Sequence, residues 1–293
     1  MEVRIGISGW TYAGWRGVFY PCGLPQKREL EYAARRFNTI EINGTFYRLQ
    51  RQRTFANWYA AVPPDFVFAV KGSRFITHMK QLRDVRQPLA NFFASGVLRL
   101  EEKLGPVLWQ FSPRMRLDER FAGFLELLPK STGQAVHLAR EHDARVRDPW
   151  TRTSRDAPIR HAIEIRDESF LIPEFMDMLR YYGAALVFSD AADWTYVEDV
   201  TADFIYARLH GSEALYTSGY DDAALARWAD RIRCWHHGSE PPDAQRIGPP
   251  PVRRSRRDVY VYFDNDAKVR APFDAMRLME LLQRGTRKER RAA

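Results

Sequence analysis

Eight short apolar runs recur along the chain, and helical segments separate most of them. The runs are VRIGIS (3–8), TIEIN (39–43), VFAVK (67–71), VLWQF (107–111), HAIEIR (161–166), ALVFSD (185–190), FIYARLH (204–210) and DVYVYF (258–263). Each run has the length and the side chains that are typical of a strand. Strands that alternate with helices form parallel sheets through right-handed crossovers. Eight such units favour an α/β protein built as one closed TIM-type (β/α)₈ barrel, although an open sheet fits the same pattern.

The segments between these runs show helical spacing or helix punctuation. The predicted helices cover residues 30–37, 88–100, 119–129, 132–146, 172–183, 221–235 and 271–284. We therefore expect a single barrel domain over residues 1–285, followed by a basic tail at 286–293. The segment 236–257 is rich in proline, glycine and charge, so it predicts an exposed, flexible loop before the last strand.

Composition narrows the class of protein. The chain has 293 residues, 45% of them hydrophobic and 28% charged, as in ordinary globular proteins. No apolar run reaches the roughly 18 residues that a membrane span needs, and the amino terminus does not resemble a signal peptide. We therefore expect a cytoplasmic protein without a membrane partner. The two cysteines, Cys22 and Cys234, predict neither a disulfide framework nor a zinc site.

The positive charge is confined to two short clusters. The net charge is +8, and residues 253–257 and 284–291 carry +4 each, so the rest of the chain is neutral. Such clusters attract phosphate backbones in a salt-dependent manner, but they are also common in solvated, mobile segments.

Polar side chains lie on one face of the predicted strands, close to the strand carboxyl ends. Side chains alternate along a strand, so Glu41 and Asn43 share a face opposite the apolar one. The same reasoning selects Lys71, Gln110, Glu164, Arg166, Asp190, Arg208 and His210. In a barrel this face points into the lumen, and barrel enzymes carry their sites at the carboxyl ends of the strands. We therefore expect a polar site at that mouth.

An aromatic loop follows the first strand. The stretch SGWTYAGWRGVFYP (8–21) contains Trp10, Tyr12, Trp15, Phe19 and Tyr20. Loops seldom carry so much apolar surface without covering something. It is either a cover across the barrel mouth or a minor core beneath a long loop.

Seven motifs in order resemble the YecE-like family, also known as domain of unknown function 72. They are GISGWTYAGWRGVFYP, IEINGTFYR, FAVKGSRFITH, VLWQF, IEIRDESF, ARLHGSEALYTSGY and VYFDND, and the resemblance runs from about residue 3 to about residue 281. It implies a TIM-type barrel. It also implies functional positions that include Thr45, Phe46, Thr77, His78, Tyr216, Tyr220, Asn265 and Asp266. Ser112 stands where relatives usually have a second proline. The resemblance supplies a fold and a site but no reaction.

The first functional hypothesis is an enzyme or binding protein for a small anionic, phosphate-containing ligand, resembling a hydrolase or phosphodiesterase. Guanidinium groups match phosphate oxygens, so Arg166, Arg208 and Lys71 would hold the anion. The predicted catalytic residues are Glu41, Glu164, His210 and Asp190. The other predicted binding residues are Trp10, Tyr12, Asn43, Tyr47, His78, Gln110, Tyr216 and Asn265. No cofactor is predicted.

Three alternatives remain open. Glu41, Glu164, Asp190 and His210 would be the ligands in a version that depends on a divalent metal. A nucleic-acid-binding protein without chemistry would use exposed aromatic side chains and the clusters 253–257 and 284–291. A carbohydrate enzyme would use Glu41 and Glu164 as its carboxylate pair.

Overall fold

The protein is a closed barrel of eight parallel strands. The structure is a computed structural model that describes residues 2–192, 194, 196–211 and 219–292, without the side chains of 285–292. Each strand pairs with the next one along the chain, and β8 pairs with β1 to close the barrel. The strands are β1 (Val3–Ser8), β2 (Thr39–Ile42), β3 (Val67–Lys71), β4 (Leu104–Gln110), β5 (His161–Glu164), β6 (Ala185–Ala191), β7 (Phe204–Gly211) and β8 (Asp258–Phe263). The predicted TIM-type barrel is confirmed, and the open sheet is excluded.

Helices surround the barrel. They are α1 (Glu29–Ala34), α2 (Gly44–Tyr47), α3 (Gln52–Ala60), α4 (Arg86–Ala94), α5 (Arg120–Leu127), α6 (Thr132–Ala139), α7 (Pro173–Tyr182), α8 (Asp222–His236) and α9 (Ala271–Ala292). The sequence reasoning missed α3, in which Phe55 is the one buried side chain. Among these described elements, no helix is both long and apolar enough to cross a membrane.

The predicted helix 132–146 ends early, at Ala139. The side chain of Asn91 on α4 donates to Asp143 Oδ1 at 3.1 Å, and the Asp143 backbone N–H donates back to Asn91 Oδ1 at 2.9 Å. Asp143 Oδ1 also accepts from the Arg145 backbone N–H. Asp side chains that bond to nearby backbone groups compete with helix formation, which explains the break.

Side-chain alternation sorts the barrel into two cores. One cluster lies inside the barrel and consists of Ala69, Leu108, Ala162, Ala185, Val187, Phe204, Tyr206, Tyr260 and Tyr262. The opposite strand faces, for example Ile40 and Ile42 on β2, pack against the helices. The predicted faces of β2, β3, β4, β5 and β7 are therefore confirmed, whereas that of β6 is not. The same alternation carries Ser8, Glu41 and Arg208 to the carboxyl end of the lumen.

The segment 236–257 lies at the amino-terminal end of the barrel. Asp199, shortly before β7, accepts from the backbone N–H groups of Ile247 and Gly248, both at 2.8 Å. Arg257 is buried and donates to the carbonyl groups of Ser239 and Val252, so the prediction of an exposed segment is wrong at this residue. Its neighbours Arg253, Arg254 and Arg256 are exposed. The segment thus lies opposite the predicted site, and its flexibility stays a prediction.

Candidate active site at the carboxyl mouth of the barrel

The Arg208 guanidinium lies inside the barrel mouth and is fully buried. Its Nε and Nη2 donate to Glu41 at 3.1 and 2.9 Å, and Nη1 donates to Glu164 Oε2 at 2.9 Å. Nη2 also donates to Asp264 Oδ2 at 2.8 Å and to Ser8 Oγ at 3.1 Å. Each nitrogen atom of Arg208 therefore has a protein acceptor. A ligand that contacts Arg208 has to displace one of them, so the geometry favours a positioning role over the predicted anion-binding role.

Glu41 is tolerated on a buried strand because its carboxylate is fully paired. Besides the two bonds from Arg208, it accepts from the Tyr206 hydroxyl at 2.6 Å and from the Ser8 hydroxyl. Buried carboxylates cost several kcal/mol unless they are paired and hydrogen-bonded in this way. Glu41 is fully buried.

Glu164 and Asp264 are held in the ionised form. Burial acts to raise the pKa of Glu164, but Arg166, Arg208 and His210 hold it well below its usual range. Burial likewise opposes ionisation of Asp264, and the contacts with Arg208 and His210 lower its pKa. Groups that stay ionised at neutral pH are poor general acids. Glu164, predicted as a catalytic residue, is therefore better placed to orient Arg166, which donates to it at 2.8 Å.

His210 lies between these two carboxylates. Its Nδ1 is 3.1 Å from Asp264 Oδ2, and its Nε2 is 3.5 Å from Glu164 Oε1. The Trp194 ring packs over His210 with the ring centroids 4.7 Å apart. His210 is fully buried beneath this cover.

Asp264 was missed by the sequence reasoning. It continues the lumen positions Tyr260 and Tyr262 of β8 as the first residue past the strand end, so the alternation rule could have selected it. Gln110 faces the lumen, as side-chain alternation predicts, and it donates to Glu164 Oε2 at 2.8 Å. Ser189 on β6 also donates to Glu164, at 3.2 Å.

Asp190 and Asn265 are not part of the cluster around Arg208. The lumen positions of β6 are Ala185, Val187 and Ser189, so Asp190 faces outward and accepts from Trp228 Nε1 at 3.0 Å. The prediction that Asp190 lies in the mouth is therefore wrong. Asn265 donates to Asp274 of α9 at 2.8 Å. Tyr216 lies outside the described residues.

Lys71 is a buried amine at the carboxyl end of β3. It is 7% exposed, and its Nζ lies 4.5 Å from the centre of the Phe46 ring. No carboxylate oxygen of a described residue lies within 4.0 Å of Nζ. Burial and the charge of Arg208 lower the pKa of Lys71, against the opposing effect of nearby carboxylates.

Arg166 is the more available guanidinium of the site. Its Nη2 donates to Glu164 Oε1 at 2.8 Å, and the Trp194 ring lies 3.2 Å from the guanidinium carbon. Its Nε is buried and has no acceptor among the described residues. His78 is a neutral neighbour of these cations, since burial and the charges of Lys71, Arg166 and Arg74 lower its pKa. Its Nδ1 lies 2.9 Å from the Thr77 hydroxyl.

The aromatic loop 8–21 divides into two parts. Trp15, Phe19 and Tyr20 are buried against one another and form the minor core. Trp10 and Tyr12 line a cavity of about 410 Å³ beside the mouth, and a cover across the mouth stays a prediction. The other residues that line this cavity include Asn43, Tyr47, Arg48, Gln50 and Trp58. Tyr12 connects the cavity to the Arg208 cluster, because its hydroxyl donates to the Ser8 carbonyl at 2.6 Å.

Asp266, one of the positions that the family resemblance implies, is a titratable group at the mouth. It is half-buried, and burial together with the charge of Asp264 raises its pKa to about 6. The Tyr12 side chain acts in the opposite direction. A carboxyl group with this pKa can give or take a proton near neutral pH.

The contacts of Arg208 also affect two of the alternative functions, the carbohydrate enzyme and the metal-dependent enzyme. Its guanidinium bonds to both Glu41 and Glu164, so these carboxylates do not form an open pair around a sugar. Asp190, one of the four predicted metal ligands, faces outward and lies apart from the other three. No three His, Cys, Asp or Glu side chains within the described part of the chain are grouped to hold a metal ion.

Comparison with known proteins agrees with the fold. A family model described as "Protein of unknown function DUF72" matches residues 4–293. The UPF0759 protein YunF of Bacillus subtilis is 23% identical over 197 residues, which are 66% of this chain and 58% of that protein. A DUF72 family crystal structure from Thermotoga maritima is 24% identical with a TM-score of 0.72 and covers 97% of this chain and 100% of its own. One from Enterococcus faecalis is 17% identical with a TM-score of 0.69, covering 96% of each chain. Because the family model covers almost the entire sequence, the chain belongs to the DUF72 family.

Proposed function

We propose that the protein is an enzyme that acts on a small anionic substrate at the carboxyl mouth of the barrel. Arg166 binds the phosphate or carboxylate group of this substrate, and Asp266 exchanges a proton with it. The observation that carries the proposal is the buried Arg166 Nε, which lacks an acceptor among the described residues. Buried donors are normally satisfied, so this one favours a ligand that supplies the acceptor.

The distribution of charge at the mouth favours an anionic ligand over a cationic one. Glu41, Glu164 and Asp264 already have a protein partner in Arg208. Lys71 has no comparably close carboxylate in the described residues, and Arg166 shares Glu164 with Arg208. An anionic group on this side of the mouth gains charge-assisted hydrogen bonds without breaking the Arg208 cluster.

Replacing Arg166 by Gln should weaken binding of a phosphate-bearing ligand by about ten- to one hundred-fold, since a hydrogen bond to a charged group contributes about 1.5 to 3 kcal/mol. The measurement is a thermal-shift screen of phosphorylated metabolites and their unphosphorylated counterparts, followed by calorimetry on any ligand found. A ligand at 100 times its Kd stabilises the native state by about 2.7 kcal/mol, which is readily detected.

The matched control is Arg116→Gln. Arg116 is exposed and lies 3.7 Å from Asp167, the residue after Arg166, so its loss removes a charge near the mouth but no buried donor. This variant should bind as the wild type does. Equal affinity of the wild type and Arg166→Gln would contradict the proposal. So would stabilisation by nucleic acids alone that high salt abolishes, which would favour the exposed arginines of 253–257.

Asp266→Asn should alter the pH dependence of stability. The folded-state pKa of about 6 lies above the unfolded value of about 3.9, so the native state binds this proton more tightly. Stability that is present below pH 4 is therefore lost as the pH rises through 6. After allowing for solvent screening of a half-buried group, we expect wild type to lose about 1 to 2 kcal/mol relative to Asp266→Asn between pH 4 and 7. Parallel urea-unfolding curves at both pH values would contradict this.

A further inference from the structure

We propose that the Lys71 ε-amine is a nucleophile that forms a Schiff base with the carbonyl group of an anionic aldehyde or ketone. This inference rests on the proposed function, because Arg166 would hold the anionic group while the carbonyl group meets Lys71. It narrows the substrate class from small anions to anions that contain a carbonyl group.

The contrast with Lys103 carries the argument. Both amines are almost completely buried, at 7% and 4% exposure. Lys103 Nζ donates to the carbonyl oxygens of Tyr59 and Val62 at 2.8 and 2.9 Å, so its hydrogens are used within the fold. Lys71 Nζ makes no such bond to a described residue and faces the Phe46 ring at 4.5 Å. Lys103 is a structural lysine, whereas Lys71 has a free amine at the mouth where barrel enzymes carry their reactive groups.

The surroundings of Lys71 favour the uncharged amine. Burial has the largest effect and lowers the pKa of the Lys71 amine, and the positive charge of Arg208 lowers it further. Glu41, Asp264 and Glu164 oppose both effects, but each of them already binds Arg208. An amine needs its lone pair to attack a carbonyl carbon, and lysines are activated by an apolar pocket or a neighbouring cation. Lys71 has both, in its burial and in the charge of Arg208.

The reaction balances without an oxidant or reductant. The nitrogen lone pair attacks the carbonyl carbon to form a C–N bond, and the carbonyl oxygen takes up a proton while the nitrogen loses one. The resulting carbinolamine then loses its hydroxyl group and the second nitrogen-bound hydrogen as water, which leaves a C=N bond. His78 lies beside the Phe46 ring, with the centroids 5.1 Å apart, and would transfer protons in these steps.

The test is reductive trapping at pH 7 with sodium cyanoborohydride, which adds hydride to the C=N bond and makes the adduct permanent. The probes are dihydroxyacetone phosphate and its neutral counterpart dihydroxyacetone. Peptide mass spectrometry then compares the rate of labelling at Lys71 with the rates at Lys103 and the exposed Lys27. We expect Lys71 to be labelled at least ten times faster than either, and Lys71→Arg to lose this rapid labelling while keeping a cation.

Arg166→Gln separates this inference from the proposed function. It should slow labelling by the phosphorylated probe at least ten times more than it slows labelling by the neutral probe. Rapid labelling of Lys71 that depends neither on the phosphate nor on Arg166 would support the nucleophile and overturn the anion site. Arg166-dependent binding of the phosphorylated probe with no faster labelling at Lys71 than at Lys27 would overturn the nucleophile alone.

Discussion

Replacing Arg208 by Met should lower the free energy of unfolding by about 3 to 5 kcal/mol at pH 7, although Met fills much of the same volume. The substitution leaves Glu41, Glu164 and Asp264 in the lumen without their shared cation. Removing one partner of a buried ion pair is costly because the remaining charge is neither solvated nor compensated. Urea unfolding followed by tryptophan fluorescence measures the loss directly.

The pH dependence of this loss distinguishes charge from packing. In the wild type the folded pKa values of Glu164 and Asp264 are depressed, so their stabilising effect is present above the unfolded value of about 4 and is lost as the pH falls. Without Arg208, burial favours the protonated acids. The difference in the free energy of unfolding between the wild type and Arg208→Met should therefore become smaller as the pH falls from 7 to 4. A loss below 1 kcal/mol, or one that is constant with pH, would contradict the role assigned to Arg208.

Gly6→Ala should destabilise the barrel by about 3 kcal/mol or prevent its folding. Gly6 on β1 pairs with Thr39 on β2, and a Cβ at this position would lie 1.9 Å from the Thr39 carbonyl oxygen. Backbone atoms of a closed barrel cannot shift enough to relieve such an overlap without breaking strand pairing. The yield of soluble protein and its urea midpoint measure the effect.

The control for Gly6 is Gly123→Ala. Gly123 lies on the exposed side of α5, where an added Cβ would meet no atom within 4 Å. Alanine in an exposed helix is more favourable than glycine by about 0.5 to 1 kcal/mol, so this variant should be slightly more stable than the wild type. Equal stability of the two alanine variants would show that β1 and β2 separate more easily than their register implies.

The sequence was sufficient to predict the barrel because each strand run is short, apolar and separated from the next. Strands β1, β3 and β8 have the predicted boundaries. Alternation also brought Glu41, Glu164 and Arg208 to one place, since in these strands apolar and polar positions differ clearly. It failed for Asp190 because residues 185–188 of β6 are apolar on both faces, so the run does not indicate which face is the lumen.

The sequence could not predict which charged side chains form ion pairs at the barrel mouth. The sequence shows only that Arg166, Arg208 and Lys71 are basic residues. In the structure, carboxylates surround Arg208, while no carboxylate of a described residue lies within 4.0 Å of the Lys71 amine. That difference depends on which strand ends meet across the lumen. The raised pKa of Asp266 likewise arises from burial and from Asp264 beside it, and both are products of the closed fold.

The Arg208 cluster draws its members from both halves of the sequence. Ser8 and Glu41 come from β1 and β2, whereas Glu164, Arg208 and Asp264 come from β5, β7 and the end of β8. If the chain were cut between β4 and β5, the first fragment would contain Glu41 without its arginine partner. The second fragment would contain Arg208 without Glu41 as an acceptor. Neither fragment would be a stable unit by itself, but the two should complement each other when mixed, because docking alone restores the ionic centre.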